Sequence, residues 1–197
     1  HYGGLACDMD AILAIAKEHD LKVVEDAAHA FPTTYHGQLV GTLKSDITVF
    51  SFYANKTMTT GEGGMVVSRH HDLMARMRIM RLHGISRDAF DRFQSKTPAW
   101  HYEVVAPGFK YNMTDVAAAM GRVQLRRIGS FLERREQLAQ RYFDGLKGLP
   151  LTVAPRAQQG DTHAWHIFAV RLQGDGTDLA PRAKFIEQLA ASGIGTS

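Results

Sequence analysis

Short apolar runs alternate with helical patterns along the first half of the chain, and this alternation is typical of α/β folds. Apolar residues at helical spacing predict a helix over residues 9–19, with Asp8 as its N-cap. Apolar runs rich in β-branched and aromatic residues predict three strands, over residues 21–25, 47–52 and 64–68. A hairpin-like loop is expected over 31–41. We therefore predict an α/β fold.

Helical patterns dominate the chain after residue 70. They predict a helix over 71–82 that ends at Gly84, a helix capped by Thr114, and a helix over 181–191. Ser130 and Glu133 form a capping box that predicts the start of a separate helix ending at Gly148. A strand is expected over 163–172. The stretch over 85–111 is long and irregular, a length typical of functional loops.

Composition excludes several classes of protein. The net charge is +3 and the pI is about 9.1. Basic and acidic residues are interspersed, so this charge does not indicate nucleic-acid binding. It is compatible with an anionic small ligand. Cys7 is the only cysteine, so an internal disulfide is impossible and a reducing cytoplasm is expected. The sequence has no apolar run near the roughly 20 residues that a membrane-spanning helix needs.

Lys56 is the first candidate for chemistry. It follows a strand pattern, ITVFSF, and precedes a turn rich in Thr and Gly, TMTTGEGG. A lysine at the end of a buried strand suits an amine that can lose its charge, because burial disfavours the ammonium form and a neutral amine can form a Schiff base. An exposed loop lysine is the alternative interpretation.

Asp26 is the second candidate. It lies at the carboxyl end of the strand in LKVVEDAAHA, where ligands bind in open α/β sheets. The alanines that follow would let a flat ring approach, and the carboxylate could then partner a ring nitrogen. A helix cap is the alternative role. Asp26 and Lys56 together predict a site for a heterocyclic cofactor.

Three segments resemble one known family. EDAAHA (25–30), SDITVFSFYANKTMTTGEGGM (45–65) and GFKYNMTDVAAAMGRVQL (108–125) are similar to the sugar aminotransferases of the DegT/StrS type. The resemblance runs from His1 to Ser197, and the block around Lys56 is the most specific part. It implies a pyridoxal 5'-phosphate (PLP) enzyme of the aspartate-aminotransferase fold, fold type I.

The resemblance also implies a domain organisation. Residues 1–148 would form part of a three-layer, mixed-sheet PLP-binding large domain, and residues 149–197 would begin a small α+β domain. The chain begins with His1 rather than Met and is about half as long as family members, so we expect it to be an internal fragment. The irregular stretch over 85–111 would be a mobile flap near the active site and the dimer partner.

Five residues receive roles from the resemblance. Lys56 would form the Schiff base with PLP and then move the substrate proton. Asp26 would keep the pyridine nitrogen protonated. His29 would lie against the ring or reach its phenolic oxygen, although a core histidine is an equal alternative. Ser51 would bind the cofactor phosphate. Asn112 would reach the phosphate of a neighbouring subunit, which would require a homodimer with a composite site, unless it only caps a helix.

The predicted function is transfer of an amino group, with glutamate as the expected donor, to a keto group of a nucleotide-linked sugar in polysaccharide biosynthesis. A PLP-dependent sugar dehydratase is one alternative, but the dehydratases of the family carry histidine at the position of Lys56. A non-catalytic regulator that binds a sugar nucleotide is another. His163 and His166 lack metal-ligand spacing, and we expect them to have packing roles. No metal is predicted.

Overall fold

The computed structural model describes residues 1–86, 102–173 and 180–196 of the chain. After a 3₁₀ turn at Tyr2–Gly4, the described helices are α1 (Met9–Glu18), α2 (His71–Met80), α3 (Asp115–Gly145) and α4 (Ala180–Ala191). The described strands are β1 (Val24–Asp26), β2 (Thr34–Tyr35), β3 (Gln38–Leu39), β4 (Ile47–Ser51), β5 (Gly64–Val67), β6 (Leu151–Val153) and β7 (Val170–Leu172). None of the described helices has the length and apolar character needed to cross a membrane.

A mixed three-stranded sheet with the order β1-β4-β5 forms the centre of the molecule. β1 and β4 are parallel, with Asp26 opposite Val49, whereas β4 and β5 are antiparallel. Since parallel strands end at the same edge, the carboxyl ends of β1 and β4 lie side by side. In α/β sheets, this edge is the usual ligand-binding edge.

The side chains of β4 explain why this strand is central. Their burial alternates along the strand, and Thr48 and Phe50 are buried. This alternation is what a strand with one fully packed face requires. Phe50 joins the main core cluster, whose other buried members are Ala27, Ala30, Val40, Phe52 and Met58. The core therefore contacts both the end of β1 and the turn after β4.

The predicted helix caps Asp8 and Thr114 are confirmed. The carboxylate of Asp8 accepts a hydrogen bond from the backbone N–H of Ala11, and the hydroxyl of Thr114 accepts one from Ala117. The hairpin-like loop is confirmed as the β2–β3 pair. The first strand is shorter than predicted, because the N–H of Leu21 still bonds the carbonyl of Ala16 at the end of α1.

The predicted helix start at Ser130 is wrong. α3 continues through this position as one helix of 31 residues. The hydroxyl of Ser130 donates to the carbonyl of Arg127 one turn earlier, which is how serine satisfies itself inside a helix. Ser130 and Glu133 therefore do not form a capping box.

The predicted strand over 163–172 is wrong except for its last three residues, which form β7 and pair with the unpredicted strand β6. Trp165 has a positive φ of 47°, which interrupts any extended strand. The segment instead bonds the start of the chain, because Ala164 donates to Gly4 and Ile167 donates to Gly3. These contacts bring His166 to the centre of the molecule.

Much of the expected flap, 87–101, lies outside the described residues. Its flanks pair through isolated bridges, Leu82 with Lys110 and Ile85 with Val104. The helix pattern over 71–82 gives α2, and Gly84 beyond it has the expected left-handed conformation with φ at 68°. The domain boundary near residue 148 stays a prediction.

Replacing Gly84 with Ala should lower the free energy of unfolding by more than about 2 kcal/mol, because a β-carbon there would overlap the carbonyl oxygen of Ala106. Gly148→Ala is the matched control, since Gly148 also has a positive φ, 80°, but no atom within 4 Å of the added carbon. The control should lose only about 1 kcal/mol. Denaturant unfolding of the complete protein measures both, and equal losses would contradict the prediction.

Candidate active site

Asp26 is the last residue of β1, at the ligand-binding edge of the sheet. Its carboxylate is exposed, and its Oδ1 accepts a hydrogen bond of 3.0 Å from the backbone N–H of Ala28. The neighbouring side chains are alanines, and Ala27 and Ala30 are almost completely buried. Small, buried neighbours leave the space in front of this carboxylate open to a ring.

Lys56 lies in the turn that follows β4, and its side chain is half-buried. The turn is closed at its base by Phe52, which donates to the carbonyl of Gly63 and accepts from the N–H of Thr60. Thr57 and Met58, next in sequence, are buried. Lys56 is therefore held by the closed base of the turn and by the buried residues that follow it.

The ring of His29 is fixed by a backbone donor. The N–H of Gly3 donates to Nδ1 of His29 over 3.3 Å. A nitrogen that accepts a hydrogen bond carries no proton, so the neutral ring carries its proton on Nε2. The pKa of His29 is below its ordinary value, mainly because the ring is desolvated and also because of the positive charge of Lys56. His29 therefore offers an Nε2–H donor.

The same histidine connects the two residues singled out in the sequence. Lys56 lowers the pKa of His29 and the carboxylate of Asp26 raises it, so both charges lie within electrostatic range of this one ring. The structure thus brings together Asp26 from the end of β1, His29 from the loop after it, and Lys56 from the turn after β4. These three groups form the centre of the candidate site.

Ser51 and Asn112 make only local hydrogen bonds among the described residues. Ser51 is the last residue of β4, and its hydroxyl accepts a hydrogen bond of 3.3 Å from the N–H of Tyr53. Asn112 precedes α3, and its side-chain oxygen accepts from Nζ of Lys110 over 2.7 Å. Thr114, not Asn112, caps α3, so the cap alternative for Asn112 is wrong.

His166 belongs to the site, although the sequence analysis expected it to have a packing role. Its ring lies 4.5 Å from that of His29, centroid to centroid, and its buried Nδ1 has no hydrogen-bond partner among the residues that the structure describes. Desolvation is the main cause that lowers the pKa of His166 to about 4, and the positive charges of Lys56 and Arg135 act in the same direction. A second neutral imidazole therefore lies beside Lys56.

The turn that presents His166 is anchored to α3. Nη1 of Arg135 donates to the carbonyl of Trp165 over 2.7 Å, and the indole N–H of Trp165 donates to Glu136. The ring of His163 stacks on that of Trp165 at 3.7 Å, and Nδ1 of His163 accepts from the N–H of Trp165. These contacts hold Trp165 at its positive φ. No pattern in the sequence could reveal this tertiary arrangement.

No metal centre competes with this interpretation in the part of the chain that the structure describes, because no three His, Cys, Asp or Glu side chains there are arranged to hold an ion. The site combines a carboxylate, an amine and two neutral imidazoles. This set can bind and protonate an organic ring, and it can move a proton.

Comparison with known proteins identifies the family. The sequence model of the DegT/DnrJ/EryC1/StrS aminotransferase family matches residues 1–197. This chain belongs to that family. The resemblance stated from the sequence motifs is therefore confirmed. Among curated relatives, the spore coat polysaccharide biosynthesis protein SpsC of Bacillus subtilis (strain 168) is 44% identical over 198 residues, which cover all of this chain and 50% of SpsC.

Solved structures of aminotransferases resemble this DegT-family chain closely. Spr1654 of Streptococcus pneumoniae is described as a sugar aminotransferase and was solved in PMP and PLP forms. Its PMP form matches with a TM-score of 0.87 and 32% identity, over 98% of this chain and 53% of the Spr1654 chain. The aminotransferase TlmJ of Streptoalloteichus hindustanus matches with a TM-score of 0.87 and 34% identity over 100% of this chain and 50% of its own.

These comparisons confirm the predicted α/β fold of PLP-dependent aminotransferases for this DegT-family chain, and the family uses PLP. The chain spans about half the length of the relatives that it matches. Its residues fit PLP on structural grounds. Asp26 has an exposed carboxylate beside small alanines, Lys56 offers an amine in range of the same histidine, and His29 presents a donor nitrogen.

The stability of the protein should fall as the pH decreases from 6.5 to about 4. Burial holds the pKa of His163 and of His166 at about 4 in the folded state, against an ordinary value of 6.5. Between these values the unfolded chain takes up protons that the folded chain does not, so the stabilising contribution is complete above 6.5 and is lost progressively as the pH falls to about 4.

The double variant His163→Asn and His166→Asn should lose less stability over this pH range, because asparagine does not titrate and its Oδ1 can still accept from Trp165. Thermal unfolding of the complete protein at several pH values measures the slope. His71→Asn, at an exposed histidine, is the control and should behave as the natural protein does. An unchanged slope in the double variant would contradict the prediction.

Proposed function

We propose that the protein to which this chain belongs is a PLP-dependent aminotransferase that transfers an amino group to a keto sugar. The observation that carries the proposal is the meeting of Asp26, His29 and Lys56 at the carboxyl ends of β1 and β4. Membership of the DegT family supports the same activity.

Each residue of the centre has a role that its surroundings support. When bound, PLP supplies a protonated pyridine ring that withdraws electrons from the substrate carbon. Asp26, as a carboxylate, holds the proton on the ring nitrogen through a charge-assisted hydrogen bond. Nε2–H of His29 donates to the cofactor, because Gly3 occupies its Nδ1. Ser51 and Asn112 provide polar groups for the phosphate.

Lys56 would have two roles. Its amine would hold the cofactor, and the same amine, when free, would move a proton between carbons of the substrate and the cofactor. Proton transfer by a positioned side chain typically contributes 10²–10⁴-fold to a rate. The neutral state of His29 and His166 suits this role, since neither ring adds a positive charge beside the amine.

The relatives of the chain support a proposal for the substrates. We propose glutamate as the amino donor and a nucleotide-linked keto sugar as the acceptor, in a pathway of polysaccharide synthesis. The name of SpsC places that relative in polysaccharide biosynthesis, and Spr1654 is described as a sugar aminotransferase. Both share the whole length of this chain or nearly all of it, so the site residues lie within the shared region.

The active site is composite in this proposal, and the protein is a homodimer. Asn112 does not cap α3, and its side-chain oxygen is held by Lys110 at the end of the irregular segment before the helix. We infer that Asn112 binds the cofactor phosphate of the partner subunit. Its exposed neighbour Tyr111 supports an interface here, since 74% of its surface is accessible.

Replacing Lys56 with Ala should abolish the visible absorption of bound PLP and its trapping by borohydride, because both depend on the lysine amine. Lys44→Ala, at an exposed lysine, is the control and should leave both unchanged. Spectra of the complete protein reconstituted with PLP measure the effect. An unchanged spectrum in the Lys56 variant would refute the assignment.

Incubating the natural protein with PLP and glutamate then separates the alternatives. An aminotransferase converts the cofactor to the pyridoxamine form, whereas a regulator that only binds sugar nucleotides leaves the spectrum as it was. A dehydratase would release water from the sugar without leaving an amino group on it, and mass spectrometry of the sugar product distinguishes this.

Mixing inactive variants tests the composite site. Lys56→Ala and Asn112→Ala subunits should each have activity reduced at least about tenfold, since each lacks a group that touches the cofactor. In a mixed dimer with composite sites, one site lacks both groups and the other is intact, so random mixing should restore about a quarter of the natural activity. No recovery after confirmed subunit exchange would place Asn112 in its own subunit's site or outside any site.

A further inference from the structure

Glu25 is a buried carboxylate that lies next to Asp26 on β1. Its residue is only 3% exposed. Three side-chain donors converge on it: Nε2 of His1 at 2.7 Å, the hydroxyl of Thr48 at 2.8 Å, and the hydroxyl of Ser45. Thr48 and Ser45 belong to β4 and the residues before it. The carboxylate therefore joins β1, β4 and the start of the chain.

The protonation of His1 follows from its two partners. The backbone N–H of Cys7 donates to Nδ1 of His1 over 3.0 Å, so this nitrogen carries no proton. The proton is on Nε2 and is donated to Glu25. This arrangement closes the segment 1–7 into a loop, because His1 bonds Cys7 at one end and is tied to β1 through Glu25.

The closed loop carries the donor that fixes His29. Gly3 lies inside it, and the N–H of Gly3 bonds Nδ1 of His29. Gly4, next in sequence, is locked by Thr33, whose hydroxyl donates to its carbonyl over 2.8 Å. Hydrogen bonds therefore tie the loop 1–7 to Glu25 through His1 and to the ring of His29 through Gly3.

We propose that Glu25 is a positioning residue for the cofactor site. It touches neither substrate nor cofactor, and it acts by holding the loop 1–7 so that Gly3 keeps His29 as an Nε2–H donor. The expected effect on PLP binding rests on the proposed function, whereas the expected effect on the loop 1–7 rests on the hydrogen bonds alone.

Glu25→Gln is the variant that tests it. A carboxylate can accept from all three donors, but an amide has a single acceptor oxygen and a donor NH₂ group. If the oxygen faces the hydroxyls, the NH₂ group opposes Nε2–H of His1. If the oxygen faces His1, the NH₂ group donates to the hydroxyls, but His1 then bonds a neutral acceptor in place of a charged one. His1 cannot change its tautomer without opposing the N–H of Cys7. The link from β1 to the loop is therefore weakened although the side-chain shape is kept.

Asp46→Asn is the matched control. Asp46 is also a buried carboxylate between the same two strands, and it accepts from the N–H of Val23 and from Nε2 of His70, each over 2.8 Å. None of these partners belongs to the loop 1–7. The control reproduces the change from carboxylate to amide without touching the path to His29.

The experiment measures two quantities in the complete protein, hydrogen–deuterium exchange of the segment 1–7 without PLP and the Kd for PLP. In Glu25→Gln, exchange of this segment should become about tenfold faster and the Kd about tenfold higher, as the loss of one charge-assisted hydrogen bond predicts. In Asp46→Asn the unfolding midpoint should fall, but both quantities should stay within about twofold of natural. Equal effects of the two variants would overturn the inference.

Two further outcomes are distinguishable. If the natural protein does not bind PLP, the proposed function fails, while exchange of the segment 1–7 still decides whether Glu25 holds the loop. If Glu25→Gln does not fold, His1→Asn replaces it, because the asparagine oxygen can accept from Cys7 but the side chain is too short to reach Glu25. Unchanged exchange and unchanged PLP affinity in His1→Asn would overturn the inference.

Discussion

The parallel pairing of β1 with β4 is the constraint on which the site depends. It sets Asp26 opposite Val49 and brings the two strand ends to one edge, where the loop after β1 carries His29 and the turn after β4 carries Lys56. Without this register, residues so far apart in sequence would have no reason to share a site. The buried faces of Thr48 and Phe50 fix the register, because a shift by one residue would turn them outward.

The electrostatics of the site follow from burial more than from ion pairing. Desolvation is the main cause that lowers the pKa of both His29 and His166, and the charge of Lys56 acts in the same direction. Neutral imidazoles next to an amine can donate hydrogen bonds without repelling it. Asp26 acts in the opposite direction on His29, because its negative charge favours the protonated ring.

Sequence reasoning succeeded where a short segment determines its own structure. The caps Asp8 and Thr114 were predictable because the capping hydrogen bond spans only three residues. The residues Asp26 and Lys56 could be singled out because strand ends and turns leave local patterns. The same dependence on local signals made the prediction at Ser130 wrong. A capping box is recognised from four residues, but α3 continues through them as one helix. His166 could not be found, because only the tertiary contacts of Trp165 bring it to His29.

The adjacent carboxylates of β1 show how one strand can serve both the core and the site. Successive side chains of a strand point to opposite faces, so Glu25 and Asp26 cannot share an environment. Glu25 is buried and has three donors, whereas Asp26 is exposed at the edge of the sheet. A carboxylate in the interior is stable only when donors surround it, and one that holds a ring nitrogen must keep an oxygen free. Because alternate side chains of a strand point to opposite faces, Glu25 can be buried among donors while its neighbour Asp26 stays exposed.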